Sequence, residues 1–132
     1  MTKEEIMQLK SGKKLNALVA ENIMGWTKKQ VSADECFEIT GDCCANIIWL
    51  DSYDTWAYEP DKYSTDISEA WQVIEYLKTK GWGFQLKMDN IIWAELYGLG
   101  IGYFTCIGES APEAICKVAL LASLTQDIWY EK

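Results

Sequence analysis

Residues with helical spacing and residues with strand spacing divide the chain into clearly separated stretches. Leu15, Leu18, Val19, Asn22 and Ile23 recur at i, i+3, i+4, i+7 and i+8, which predicts an amphipathic helix over about 15–24. Gly25 then supplies the left-handed closing residue, and Trp26 is placed to fold back onto the core. Ahead of this helix, Thr2-x-x-Glu5 is a capping box that opens a short helical turn, stopped by Ser11-Gly12. Ile67, Ala70, Trp71, Ile74 and Leu77 repeat the helical spacing over 66–79, behind the cap types Ser64, Thr65 and Asp66 and ahead of Gly81. A last helix over 111–124 starts at Ser110-Ala111-Pro112-Glu113, a capping box with proline where no N–H is needed. Its stripe of Ile115, Val118, Ala119 and Ala122, widened by Leu120, Leu121 and Leu124, predicts burial on two sides.

Between the last two helices the period falls to two. Phe84 to Met88 and Ile92 to Leu96 alternate, joined through Asp89-Asn90, and a third strand follows from Gly102 to Ile107. A three-residue loop ending at Ile91 pairs Met88, Leu86 and Phe84 with Ile92, Ala94 and Leu96. That register sets apolar against apolar on one face and is preferred over the two-residue alternative. The expected fold is therefore α/β (α+β): an antiparallel sheet of 83–88, 92–97 and 102–107, layered with helices. Residues 30–59 read less clearly. Cys36 to Ile39 alternates weakly, Gly41-Asp42 resembles a turn, Ile47 to Leu50 could be a strand, and the acidic, aromatic stretch from Asp51 to Asp61 reads as a long ordered loop with room for short strands. At 132 residues the chain is expected to form one domain over 1–132.

Charge narrows the chemistry. The 12 basic residues are all lysine, against 20 acidic ones, for a net charge of −8 with no histidine and no arginine. Histidine triads, His-ligated zinc and arginine-finger phosphoryl transfer are excluded, and net repulsion opposes a nucleic-acid footprint. No enzyme activity, metal or cofactor is expected. Cys36, Cys43, Cys44, Cys106 and Cys116 contain no C-x-x-C pair, so reduced, buried thiols fit better than zinc or a disulfide framework. The acidic N-terminus lacks a signal-peptide core, and Lys117 interrupts the longest apolar run, so neither secretion nor a membrane span is expected.

Familiar catalytic patterns fail on inspection. Gly98-x-Gly100-x-Gly102 leads into a strand rather than a helix, unlike a dinucleotide loop. Gly108-Glu-Ser110 approaches a nucleophile elbow but has no histidine to serve it, so Ser110 reads as a helix cap. The Asp51-Ser-Tyr-Asp54 run lacks the calcium-loop ligands and glycine. Two features remain. Trp26, Trp56, Tyr58 and Tyr63 lie beside turns, where a ring can stack on a ligand, whereas Trp71 and Trp93 fall on packing positions. Two helix starts, at Ser64-Thr65 and Ser110-Ala111, offer N–H groups to an anion without arginine, with Lys62 and Lys117 nearby. The candidate ligand contacts are thus Trp26, Trp56, Lys62, Tyr63, Ser64, Thr65, Ser110 and Lys117.

Three strings, Leu15 to Trp26, Tyr63 to Trp71 and Ala111 to Ala122, together resemble the phage ABA sandwich domain family of small phage and prophage proteins. The resemblance implies a sheet sandwiched with helices, a phage origin, life in the cytoplasm of a bacterial host and no assigned reaction. Where such relatives often carry arginine this chain has Lys117, so a shared basic contact would be a point charge rather than a bidentate fork. By analogy with small phage proteins that sequester nucleotide immune signals, the first reading is a counter-defence sponge for a small nucleotide ligand. The alternatives are an acidic inhibitor of a host protein and a structural role in the virion or its assembly. The wide last-helix stripe and the aromatics near turns predict a homo-oligomer, most simply a dimer.

Overall fold

The computed structural model describes residues 1–42, 46–98 and 102–130, the last six as backbone only. Its helices are α1 (Lys3–Met7), α2 (Lys13–Asn22), α3 (Ala33–Thr40), α4 (Ile67–Thr79) and α5 (Ala111–Tyr130), and its strands are β1 (Thr27–Gln30), β2 (Ile47–Leu50), β3 (Trp56–Ala57), β4 (Gly83–Met88), β5 (Ile92–Gly98) and β6 (Gly102–Gly108). They form two three-stranded antiparallel sheets, β1-β2-β3 and β4-β5-β6.

Helix α5 is the centre of the molecule. Every residue from 111 to 122 is buried, because α5 packs on β5 and β6 and also on α1, α2 and α4. The facing side of the large sheet supplies Ala94, Leu96 and Cys106, fully buried, with Phe84, Leu86, Ile92 and Phe104 against the same core. Its hairpin has the predicted register: Met88 faces Ile92, Leu86 faces Ala94 and Phe84 faces Leu96. The opposite side of the sheet has no covering layer among the described residues and displays Trp93, Tyr97, Tyr103 and Ile107 around Glu95.

Three expectations need correction. Residues 33–40 are helix, not weakly alternating strand or loop. Ser32 caps that helix by accepting from the Glu35 N–H, and Gly41 ends it in the left-handed conformation at φ 78°. This capping box outweighs the four-residue alternation of 36–39. Second, the possible strand Ile47–Leu50 is present as β2 and a short strand follows as β3, but they belong to a sheet separate from the predicted one, with a small core of Val31, Cys36 and Ile48 flanked by Ile39 and Trp56. Third, α4 buries Ala70, Val73, Ile74 and Leu77, while Ile67 and Trp71 lie largely in solvent. Trp71 instead meets the Phe84 ring edge-on at the flank of the sheet. Cys43 and Cys44, and the Leu99-Gly100 part of the glycine run, lie outside the described residues.

Strand β2 joins the two cores by simple alternation. Ile48 points into the small cluster and its neighbour Trp49 into the main one.

Candidate functional site

A cleft of about 450 Å³ opens between the start of α2 and the segment 59–65. Gly12, Lys13, Asn16 and Ala17 form one wall, Glu59, Pro60, Lys62 and Thr65 the other, and Trp49 borders it from β2. Its shape follows from one tether. The Ser64 backbone N–H donates to Asn16 Oδ1 at 2.8 Å, and the Ser64 hydroxyl donates to the same oxygen at 2.6 Å. Ser64 Oγ also accepts from the Gly12 N–H at 2.9 Å. Ser64 is completely buried and Asn16 is 7% exposed, so these bonds lock the 59–65 segment to α2.

Tyr63 and Trp26 brace the wall from behind. Tyr63 is 2% exposed, and its hydroxyl accepts from Trp26 Nε1 at 3.0 Å. Burial pushes the Tyr63 phenol up to about 12, so it stays neutral and can hydrogen-bond to Asp61. Burial raises the Asp61 carboxyl, the Asp51 charge adds to the shift, and the bond to Tyr63 opposes it. Glu69 is raised by burial and by Asp61 and Asp66, and its Oε2 is buried without a hydrogen-bond partner among the described residues.

The three substantial helix starts nearby differ. At α4, Asp66 Oδ1 accepts from the Ser68 and Glu69 N–H groups, at 2.9 and 3.4 Å, so the protein's own carboxylate fills the first turn. At α5, Ser110 Oγ accepts from the Glu113 N–H at 3.3 Å, while the Glu113 carboxylate turns back to the N–H groups of Glu109 and Ser11. At α2 the capping residue is Gly12, which has no side chain, and no side-chain cap is made. Gly12 and Lys13, at this start, line the cleft, with the Gly12 N–H already donated to Ser64 Oγ.

The predicted contacts therefore separate into three places. Lys62 and Thr65 line the cleft; Trp26, Tyr63 and Ser64 are buried supports of its wall. Trp56 sits on β3 against the small core, edge-to-face with Tyr58 at 5.0 Å between ring centres. Ser110 and Lys117 lie at the start of α5, where Lys117, 5% exposed, approaches Glu113 at 3.8 Å. Burial alone would raise Glu113, but the two N–H groups and Lys117 hold it below the usual range. Sequence reading missed Gly12, Lys13, Asn16, Trp49 and Glu59. The available signal was Asn16, a polar residue beside Leu15 on an otherwise apolar helix face.

The cleft holds a Lys13–Glu59 ion pair at 3.0 Å between exposed ends. Nothing in it resembles a nucleophile with a base. Cys106 is buried, with its thiol pushed up to about 11, Cys116 is pushed up further, and among the described residues no group of His, Cys, Asp or Glu could hold a metal ion. No described helix is long and apolar enough to cross a membrane.

The family described as the phage ABA sandwich domain matches residues 17–120. A solved structure, the 2.0 Å crystal structure of a phage protein from Bacillus cereus ATCC 14579, superposes with a TM-score of 0.61 at 22% identity, covering 87% of this chain and 94% of that one. The likeness at this identity is one of fold. No curated protein matches the chain.

Proposed function

The chain belongs to the phage ABA sandwich domain family, and from that premise we propose that it is a non-catalytic phage protein that captures a small nucleotide-type ligand in the cleft between α2 and 59–65. One observation carries the reading: an uncapped helix start, two lysines and the largely buried Trp49 meet at a single cleft. Phosphate oxygens suit the α2 N–H groups and Lys13, and a ring suits Trp49 and Pro60. Capture without turnover suits a chain that has no histidine and no activated nucleophile. The biological role that follows is sequestering a host immune signal in the cytoplasm of the infected bacterium.

Calorimetry against cyclic di- and trinucleotides and ADP-ribose derivatives tests this. Micromolar or tighter binding that weakens in Lys62→Ala and falls with salt is the expected result. Absence of binding to every member of the panel, or binding untouched in Lys62→Ala, removes the proposal.

A second reading is favoured by the open side of the large sheet. Trp93 Nε1 donates to Glu95 at 3.1 Å, and Tyr97, Tyr103 and Ile107 stand exposed around them. Lys87 already pairs with Glu95 at 3.8 Å, so the exposed rings are what this face offers a host protein, which is the inhibitor alternative. A host protein retained on the immobilised chain, and lost with Tyr103→Ala, would favour this reading over the first.

A further inference from the structure

We propose that the open side of the large sheet is a platform for an extended, uncharged oligosaccharide, which stacks on Trp93 at one end and on Tyr97 at the other. The platform is independent of the cleft and of the ligand proposed for it.

Strand alternation arranges this side in three rows. Ala94, Leu96 and Cys106 face the core, so their neighbours along the strands face away from it. The register then sets Lys87 beside Trp93 and Ile107, Gln85 beside Glu95 and Thr105, and Gly83 beside Tyr97 and Tyr103. Two aromatic rows thus flank a polar one. Trp93 and Tyr97 are four residues apart on β5, a separation of about 13 Å along the strand.

The rings are held in place before any ligand arrives. Glu95, only 9% exposed, accepts from Trp93 Nε1 at 3.1 Å, and the Tyr103 hydroxyl turns to the same carboxylate. Lys87 Nζ approaches Glu95 at 3.8 Å and stands 5.4 Å from the centre of the Trp93 ring. Tyr97 lies down over Gly83, where a Cβ would come within 2.2–2.8 Å of three ring carbons. The missing Cβ lets the ring rest on the strand with its other face in solvent. Rings fixed in this way lose little freedom on binding.

Charge and polar atoms select the occupant. In a chain of net charge −8, the one positive group of these rows is paired with the one negative group. A polyanion is therefore repelled, and a cation finds no free carboxylate. An extended peptide needs backbone partners, but β5 is the central strand and spends its own on β4 and β6. A sugar ring lays a flat C–H face on an aromatic ring and keeps its hydroxyls at the rim, where Gln85 and Thr105 offer an exposed amide and hydroxyl. The track extends beyond one ring at both ends. A hollow of about 540 Å³ adjoins Trp93 at the hairpin, and another of about 600 Å³ adjoins Tyr97 beside Trp82.

The test is titration of the full chain with chitohexaose, cellohexaose and maltohexaose, uncharged chains of six sugars, and with the corresponding disaccharides. At least one hexasaccharide is expected to bind roughly tenfold more tightly than its disaccharide, with an affinity that added salt leaves unchanged. Trp93→Ala and Tyr97→Ala are each expected to weaken it roughly tenfold, whereas Tyr53→Ala, at an exposed tyrosine elsewhere, has no effect. Gly83→Ala keeps every ring but lifts that of Tyr97, so it is expected to weaken binding as Tyr97→Ala does. Unchanged circular dichroism spectra would show that the variants keep the fold. Binding of no hexasaccharide at millimolar concentration overturns the platform, as does binding unaltered in both ring variants. A second copy of the chain or a host protein would use the same rings, and association of either that no hexasaccharide displaces also overturns it.

Discussion

A buried hydroxyl with two jobs shows how single residues shape the cleft. Tyr63 accepts from Trp26 and also holds Asp61, so Tyr63→Phe leaves the Trp26 indole N–H without its acceptor. A loss of about 1–3 kcal/mol is expected in urea unfolding, against a much smaller change for an exposed residue such as Tyr53→Phe. The pH dependence has a defined sign here. Glu69 is raised above its ordinary 4.5, so its contribution to stability is greatest below that value and is lost as pH rises through the raised value. Glu113 and Asp66, both lowered, act in the opposite direction as pH falls. Glu69→Gln is therefore expected to be more stable than the parent at pH 7. Thermal melts should show that advantage shrinking toward pH 4. Residue types beside turns suggested Trp26, Tyr63 and Ser64 as contacts, but sequence alone does not say which way a turn faces. The Ser64–Asn16 bonds, 48 residues apart, decide that.

Elements were legible where one periodicity ran long enough to dominate. The hairpin register was readable because only one pairing sets Phe84, Leu86 and Met88 against apolar partners. Helix α3 was not, because four alternating residues hid the Ser32-x-x-Glu35 cap. In α4 the apolar stripe allowed two rotations, and the packing on α5 selects Val73 over Trp71. Close approach between elements gives a comparison that can be measured. A Cβ at Gly108 would press on the backbone of Ala114 in α5, whereas one at Gly83 would meet the ring of Tyr97, a side chain that can swing. Gly108→Ala is expected to cost more than Gly83→Ala, by at least about 1 kcal/mol, in chemical denaturation. Equal losses would mean that the α5–β6 contact is softer than its geometry implies.

At the scale of the whole molecule, the broad apolar stripe of the last helix is covered within one chain, since 111–122 are all buried. The proposal of an oligomer then rests on the uncovered side of the large sheet. Light scattering should give twice the monomer mass at micromolar concentration, falling to the monomer mass in Tyr97→Glu/Tyr103→Glu; a monomeric parent would reject the dimer. The sequential place of α5 has a further consequence. During synthesis α1, α2, α4 and the large sheet all leave the ribosome before the helix they pack on. Their apolar faces must wait, exposed, for α5 to appear. Such a protein depends on rapid synthesis of α5 or on chaperone cover, and stop codons ahead of or within α5 would yield aggregates rather than partial domains.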